Sequence, residues 1–124
     1  MTPTHNIAIG AARQYTEDQL GGPCVENEST PLATTTSSVA IDGNGDRVGL
    51  LIINIGAQIV YIALGPNVSA ANGIQLAAGG GVASFNVRDD FTLPTRRWYM
   101  LSGAATSQMY VLEINRFTLK QGAT

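Results

Sequence analysis

The apolar segment at residues 47–64, RVGLLIINIGAQIVYIAL, constrains the fold of this chain more than any other feature. Two runs of β-branched and aliphatic residues, at 48–55 and 59–64, flank a short break at residues 56–58. Residues of these types favour strands, and a break of this length suits a tight hairpin loop. The segment therefore predicts a β-hairpin around which the rest of the domain is arranged.

Both faces of the first strand in this hairpin are apolar, because side chains alternate between the two faces of a strand. One face can pack on an opposing sheet. The other needs a loop, an arm or another subunit to cover it, since exposed aliphatic patches mark interaction surfaces. We expect this strand to form an interface between subunits, with burial inside a sandwich as the alternative. Its residues are Val48, Leu50 and Ile52 on one face and Leu51, Ile53 and Ile55 on the other.

The composition favours an all-β fold for the single domain that a chain of 124 residues normally forms. Only 6% of the residues are aromatic, whereas 14 glycines and many Ser, Thr and Asn residues supply the turns that short strands need. We predict an antiparallel β-sandwich or small β-barrel at residues 32–117. It follows an extended N-terminal arm at residues 1–31 and precedes a polar C-terminal tail at residues 118–124.

Segments outside the central one supply the other predicted strands. They combine β-branched residues with turn residues at both ends, and the last of them alternates clearly between two faces. The predicted ranges are 32–41, 74–76, 82–87, 98–102 and 107–117.

The sequence Asp-Gly-Asn-Gly-Asp at residues 42–46 predicts a hairpin turn, because Asp-Gly and Asn-Gly both tolerate positive φ. These residues also match the opening of a calcium-binding loop. Such a loop continues with Gly and ends in a bidentate Glu, whereas this chain has Arg47 and Ile53 at those positions. We therefore interpret the segment as a turn.

Residues 1–31 show neither helical nor strand periodicity, and Gly and Pro residues interrupt them repeatedly. A short helix within residues 8–20 is an option, since Thr16 and the two acidic residues after it resemble a helix start. The segment is interpreted as an arm that orders on binding a partner, with a disordered tail as the alternative.

The net charge of −2 is unevenly distributed. Residues 1–46 carry six acidic side chains against one basic side chain, whereas residues 47–124 carry six basic against three acidic ones. The acidic part can fold back on its own domain or pair with a neighbouring subunit, and charge alone does not decide between them.

The chain lacks the residues that most catalytic sites require. His5 is the single histidine and lies in the predicted arm, and Cys24 is the single cysteine. A nucleophile–histidine pair or a zinc site would therefore lack partners. Adjacent carboxylates such as Asp89 and Asp90 lie in a predicted exposed loop, where no pocket tunes them for acid–base work. We predict a protein that is not an enzyme, with no metal site and no cofactor.

An arginine pair beside two aromatic residues is the clearest candidate contact for a partner. Guanidinium groups next to aromatic rings suit acidic peptides or nucleic acid. Because the total charge is negative and no other basic cluster occurs, we expect acidic residues of a partner protein here and no nucleic acid. The residues are Arg96, Arg97, Trp98 and Tyr99.

The sequence predicts neither membrane insertion nor export. Its apolar runs are shorter than the roughly 18 residues of a spanning helix. The start of the sequence lacks a basic region followed by an apolar core, and a single cysteine excludes an intrachain disulfide. We expect no membrane partner and folding in the cytoplasm.

Residues 47–114 resemble a pattern of strands and turns in small virion proteins of tailed bacteriophages. The resemblance is closest to capsid decoration, or cement, proteins. The matching segments are Arg47-Val48, Ile53-Asn54-Ile55-Gly56, Val60-Tyr61-Ile62-Ala63-Leu64-Gly65, Asn72-Gly73-Ile74-Gln75-Leu76-Ala77-Ala78-Gly79-Gly80, Trp98-Tyr99-Met100-Leu101-Ser102 and Tyr110-Val111-Leu112-Glu113.

This resemblance implies a structural virion protein that sits on the capsid exterior, after assembly in the host cytoplasm, and bridges neighbouring major capsid protein subunits. It also implies a homo-oligomer, with a trimer favoured. One alternative is a tail or fibre module that binds carbohydrate or a receptor through Trp98, Tyr99 and the loop at residues 65–73. A head-to-tail joining protein, which would form a ring, is a further alternative.

Overall fold

The computed structural model describes Tyr15 and residues 23–116, and these form two antiparallel sheets packed face to face. The first sheet contains, in spatial order, β1 (Cys24–Ser29), β9 (Ser107–Arg116), β4 (Arg47–Asn54) and β7 (Gly81–Asn86), and β2 (Leu32–Ala33) also pairs with β9. The second contains β3 (Ser38–Ile41), β8 (Trp98–Ser102), β5 (Val60–Ala63) and β6 (Ile74–Leu76). The fold is an open, all-β sandwich, which confirms the predicted class and excludes the closed barrel.

The chain crosses repeatedly between the sheets. Strands β1, β2, β4, β7 and β9 lie in the first sheet and β3, β5, β6 and β8 in the second. When β1 and β2 are counted as one interrupted strand, each sheet has four strands, and their order is that of a jelly roll.

The central hairpin prediction is wrong, because β4 and β5 belong to different sheets. β4 pairs with β7 and β9, whereas β5 pairs with β6 and β8. Buried Asn54, at the end of β4, donates from Nδ2 to the carbonyl oxygens of Gln58 (2.6 Å) and Leu76 (3.0 Å), and its Oδ1 accepts from the Gly56 amide. These bonds turn the chain out of the first sheet.

The strand predicted at residues 32–41 is divided between the sheets. Its first part, β2, pairs with β9, and its last part, β3, pairs with β8. Between them, the Thr34 hydroxyl accepts from the Thr36 amide (3.2 Å), a local turn that ends the strand. The turn at residues 42–46 consequently joins two sheets and is not a hairpin.

The first sheet begins earlier than predicted. β1 lies within the range assigned to the N-terminal arm and pairs with β9 from Cys24 opposite Arg116 to Ser29 opposite Val111. Of the rest of that range, only Tyr15, Pro23, Thr30 and Pro31 are described. The predicted helix at 8–20, apart from Tyr15, and the tail at 118–124 lie outside the described residues.

The remaining predicted strands are confirmed within a residue at each end, except that the predicted end of the last strand, residue 117, lies outside the described residues. β8 and β6 have the predicted limits, and β9 begins at the predicted residue. β7 ends at Asn86, where a one-turn helix (Val87–Asp90) begins, and a 3₁₀ turn (Leu93–Thr95) follows before β8.

The core lies between the sheets and consists mainly of aliphatic and methionine side chains. The indole of Trp98 stacks on the ring of Phe85 from the opposite sheet, with centroids 4.7 Å apart. Burial of apolar surface of this kind is the main favourable term in folding. Core residues that are essentially inaccessible include Ile52, Val60, Ile62, Met109 and Val111.

Arg47 is a charged residue within this interior, with 2% of its surface exposed. Its Nε lies 2.9 Å from Oε1 of Glu113, and Nη1 donates to the carbonyl oxygens of Pro94 (3.1 Å) and Arg96 (3.2 Å). Nη2 donates to the carbonyl oxygen of Asp42. Such charge-assisted bonds compensate the guanidinium for lost water and tie β4 to two connections between the sheets.

We expect Arg47→Met to lower the free energy of unfolding by about 3 to 5 kcal/mol, because it leaves the partly buried Glu113 carboxylate and three backbone carbonyls without their donor. Urea denaturation measures this loss. The matched control is Arg116→Met, which removes a more exposed ion pair to Asp46 (3.7 Å) and should cost about 1 kcal/mol or less. The double variant Arg47→Met/Glu113→Leu should recover part of the loss, and a double variant no more stable than Arg47→Met would contradict this role.

Candidate assembly surface

The first sheet carries an apolar stripe on the face directed away from the core. Cross-strand partners in an antiparallel sheet point to the same face. Leu51 is opposite Leu112, and Ile53 is opposite Tyr110 on one side and Val82 on the other. We call this side of the sheet the outer face. Its apolar side chains are Leu51, Ile53, Val82, Tyr110, Leu112 and Ile114.

This stripe is open to solvent in the part of the chain that the structure describes. The second sheet packs on the other side of the first sheet, and Val82 exposes 54% of its surface. Leu51, Ile53 and Leu112 are half-buried. A sheet with one covered and one open face normally alternates apolar and polar residues, so the apolar outer face is unusual for solvent contact alone.

The six residues predicted as a subunit interface separate into four groups. A β-bulge at the start of β4 is the cause, because the register with β9 shifts between Arg47 and Gly49. The bulge turns Arg47 inward, so the predicted alternation fails at Val48. In the structure, Leu50 and Ile52 belong to the core, Leu51 and Ile53 lie on the outer face, Val48 is half-buried at the bulge, and Ile55 is exposed beyond the strand.

An apolar groove with a volume of about 290 Å³ lies on the outer face where β4, β7 and β9 run side by side. Gly49 forms its floor, and a Cβ atom at that position would lie 3.2 Å from Cδ1 of Ile114. Leu51 and Leu112 form apolar walls, and Ser84 lines the β7 side. The absence of a side chain at Gly49 therefore lets the Ile114 side chain pack over this residue beside the groove.

The edge of the outer face formed by β1 is acidic. Glu26 and Glu28 of β1 are exposed and pair with Ile114 and Leu112, which places their side chains on the outer face. The Tyr110 hydroxyl donates a 3.0 Å hydrogen bond to Oε2 of Glu28. This hydrogen bond, with a smaller effect of desolvation and of the negative charge, raises the pKa of Tyr110 above its usual value. An apolar centre with a polar rim is the usual composition of a protein–protein interface.

The predicted partner contact at residues 96–99 is only partly at the surface. Arg96 and Arg97 are exposed, and Tyr99 is half-buried. Trp98 is only 3% exposed, and its Nε1 donates to the carbonyl oxygen of Leu93 (3.1 Å), so a contact role for Trp98 is wrong. Its stacking partner Phe85 is distant in the sequence and gives no local signal. The local signal was the adjacent arginines, and these suggested a surface position.

Arg97 is already paired within the chain. Its Nε lies 3.2 Å from Oδ1 of Asp42. A hydrogen bond with Tyr99, together with the charges of Tyr99 and Asp42, raises the pKa of Arg97 above its already high value. Arg97 therefore stays charged. The side chain of Arg96 is not part of this network of Arg97, Asp42 and Tyr99.

Sequence reasoning missed Phe91, which exposes 82% of its surface in the connection from β7 to β8. The signal available was an aromatic residue between an acidic pair and a threonine in a segment otherwise typical of an exposed loop. Charged neighbours alone do not identify a surface aromatic residue, because Trp98 follows two arginines and is nevertheless buried.

The turn at residues 42–46 has the features of a structural turn. Asp42 and Asp46 face Arg97 and Arg116, and Oδ1 of Asn44 accepts from the Asp46 amide (2.9 Å). Among Tyr15 and residues 23–116, no group of three or more His, Cys, Asp or Glu side chains is arranged to hold a metal ion. Over the same residues, no helix is long and apolar enough to cross a membrane. The absence of catalysis and of a cofactor stays a prediction.

No family model and no curated protein matches this chain. Among solved structures, a protein of the Bacillus endospore appendages, described as disulfide-linked pili, is 21% identical with a TM-score of 0.47, over 77% of this chain and 89% of that one. The dTDP-4-dehydrorhamnose 3,5-epimerase of Bacillus anthracis is 8% identical with a TM-score of 0.44, over 86% and 62%. The Drosophila NLP core is 14% identical with a TM-score of 0.39, over 77% and 100%. Similarities this low assign neither a family nor a function.

Replacing Glu28 should shift the titration of Tyr110. Glu28→Ala removes both the hydrogen-bond acceptor and the negative charge that disfavour the phenolate, so the pKa of Tyr110 should fall towards its ordinary value of about 10. The bond stabilises the neutral phenol, so its contribution to stability is present below that value and is lost as the pH rises through the higher folded-state pKa. Ultraviolet absorbance titration measures the shift, with Tyr110→Phe to assign the signal. An unchanged titration in Glu28→Ala would contradict the assignment.

Proposed function

We propose that this protein is a non-catalytic structural protein of a virion, which decorates and stabilises a phage capsid by bridging neighbouring capsid subunits. The observation that supports this most strongly is the open apolar outer face with its acidic edge. An assembly protein acts through surfaces of this kind, and the interior of the sandwich is filled by core side chains. The resemblance of residues 47–114 to decoration proteins supplies the type of particle.

In this proposal the outer face joins copies of the protein to one another. Water contact of the apolar stripe is unfavourable by roughly 25 cal/mol per Å², so covering it with a second copy stabilises an oligomer. We favour a trimer. A closed oligomer presents several equivalent attachment points, and their combined binding exceeds that of a single copy by multivalency.

Attachment to the major capsid protein is assigned to the exposed side of the β7–β8 connection. Arg96 is exposed there, and Tyr99 is half-buried nearby in the sequence. Acidic side chains of the capsid subunit would complement this region. The N-terminal arm is proposed to add a second attachment, and its deletion should stop at residue 22, because β1 begins at Cys24.

The alternative of a carbohydrate-binding tail or fibre module is weakened by the structure. That alternative uses Trp98 as a stacking surface for sugars, but its indole is buried against Phe85. The loop at residues 65–73 retains exposed polar residues, although Val68 within it is buried. A ring-shaped joining protein would use the same outer face and differs in the number of copies.

The double variant Leu51→Ser/Ile53→Thr should convert the oligomer to monomers, because it replaces two central apolar side chains of the outer face. It should also reduce co-sedimentation with empty capsid shells assembled from the major capsid protein of the same phage by about tenfold or more, since single-copy attachment is weak. Analytical ultracentrifugation and pelleting measure the two effects.

The matched control is Ile74→Thr on β6 of the second sheet, which removes a 43% exposed aliphatic side chain from another surface. It should change neither result. Wild-type protein that fails to bind shells would refute the decoration role, and a response of its loop at residues 65–73 to sugars would favour the fibre alternative.

A further inference from the structure

Phe91 has a strained backbone and an exposed ring at the same time. Its φ of 57° and ψ of −120°, followed by Thr92 at −94° and 1°, are the angles of a type II′ turn, whose first central position normally holds Gly. Such a conformation is unfavourable for a bulky residue and persists only where its surroundings enforce it. Because 82% of the residue is exposed, packing within the chain does not explain the choice of Phe.

The loop that presents Phe91 is held at both ends. Before it, Asn86 caps the one-turn helix: its Oδ1 accepts from the Asp89 amide, and its own amide donates to Oδ2 of Asp90, both at 2.9 Å. After it, the Thr95 amide donates to the carbonyl oxygen of Thr92 (2.9 Å). The ring is therefore presented by a fixed loop, which lowers the entropy cost of inserting it into a partner.

The groove on the outer face matches an aromatic ring in size and chemistry. Its volume of about 290 Å³ exceeds that of an engineered protein cavity of about 150 Å³ that takes up benzene. Its floor at Gly49 and its walls at Leu51 and Leu112 are apolar. The groove and the Phe91 loop are thus complementary features of one chain.

Charged side chains of both signs surround these two features. Arg88 and Arg96 are exposed on the two sides of the Phe91 loop. The acidic residues of that loop, Asp89 and Asp90, accept hydrogen bonds from Asn86. The face that carries the groove has the exposed carboxylates of Glu26 and Glu28 on its edge strand. Residues 88–96 carry two basic and two acidic side chains, so the loop is not basic as a whole, and the exposed guanidinium of Arg88 is the group that can pair with Glu26 or Glu28 of a second copy.

We propose that Phe91 of one copy inserts into the groove on the outer face of a second copy, with Arg88 directed towards the partner's acidic edge. This inference rests on the self-association in the proposed function and is independent of attachment to a capsid. It gives each copy one projecting anchor and one receiving site.

The first test is Phe91→Gly, which removes the ring and suits the backbone conformation. Its stability to urea should equal or exceed that of the wild type, so a loss of association is not caused by unfolding. Sedimentation equilibrium should show a dissociation constant at least about tenfold larger, as for a central aromatic anchor. The control Ile74→Thr should associate like the wild type.

The second test blocks the groove. Ser84→Arg places a long charged side chain on its β7 wall and should weaken association as Phe91→Gly does, whereas the matched control Ser84→Thr should not. An equimolar mixture of Phe91→Gly and Ser84→Arg should regain 1:1 association, because the first retains an open groove and the second retains the anchor.

The outcomes separate this inference from the proposed function. Normal association of Phe91→Gly, or a mixture that associates no better than its components, overturns the Phe91 contact. If Leu51→Ser/Ile53→Thr nevertheless dissociates, the outer face stays the interface and only the anchor is wrong. A wild type that stays monomeric at millimolar concentration overturns both the Phe91 contact and the self-association.

Discussion

The buried guanidinium of Arg47 determines how the rest of this structure is arranged. A charge in the interior requires partners on every side, and here they are the Glu113 carboxylate and backbone carbonyls from both neighbouring connections. To bring Arg47 inward, β4 contains a bulge at Val48. The same bulge places Gly49, Leu51 and Ile53 on the outer face, so the interaction that fixes the interior also defines the exposed surface.

The two sides of the first sheet consequently have different roles. The inner side of β4 contributes Leu50 and Ile52 to a core shared with the second sheet, which stabilises the single copy. The outer side is equally apolar but lacks a cover among the described residues. Arg47 also holds the carbonyl of Arg96, in the connection that carries Phe91. Fold stability and presentation of the assembly surface therefore depend on one hydrogen-bonded network.

Sequence reasoning succeeded where local pattern determines structure and failed where distant residues decide. The all-β class, the limits of β8 and the apolar second face of β4 follow from residue type and alternation. A three-residue break after β4 suits both a hairpin and a connection between sheets. The side-chain hydrogen bonds of Asn54 stabilise the connection between sheets. The burial of Trp98 depends on Phe85, and the groove depends on β4, β7 and β9 lying side by side, neither of which is visible along the chain.

The central claim is that the outer face is the contact between copies. Hydroxyl-radical footprinting over a range of protein concentrations tests it directly, because the method reports the solvent access of individual side chains. The account predicts that Leu112 and Val82 on the outer face become protected as the concentration rises, whereas Ile74 on the second sheet reacts equally throughout. Equal reactivity of the outer-face residues at every concentration would contradict the account.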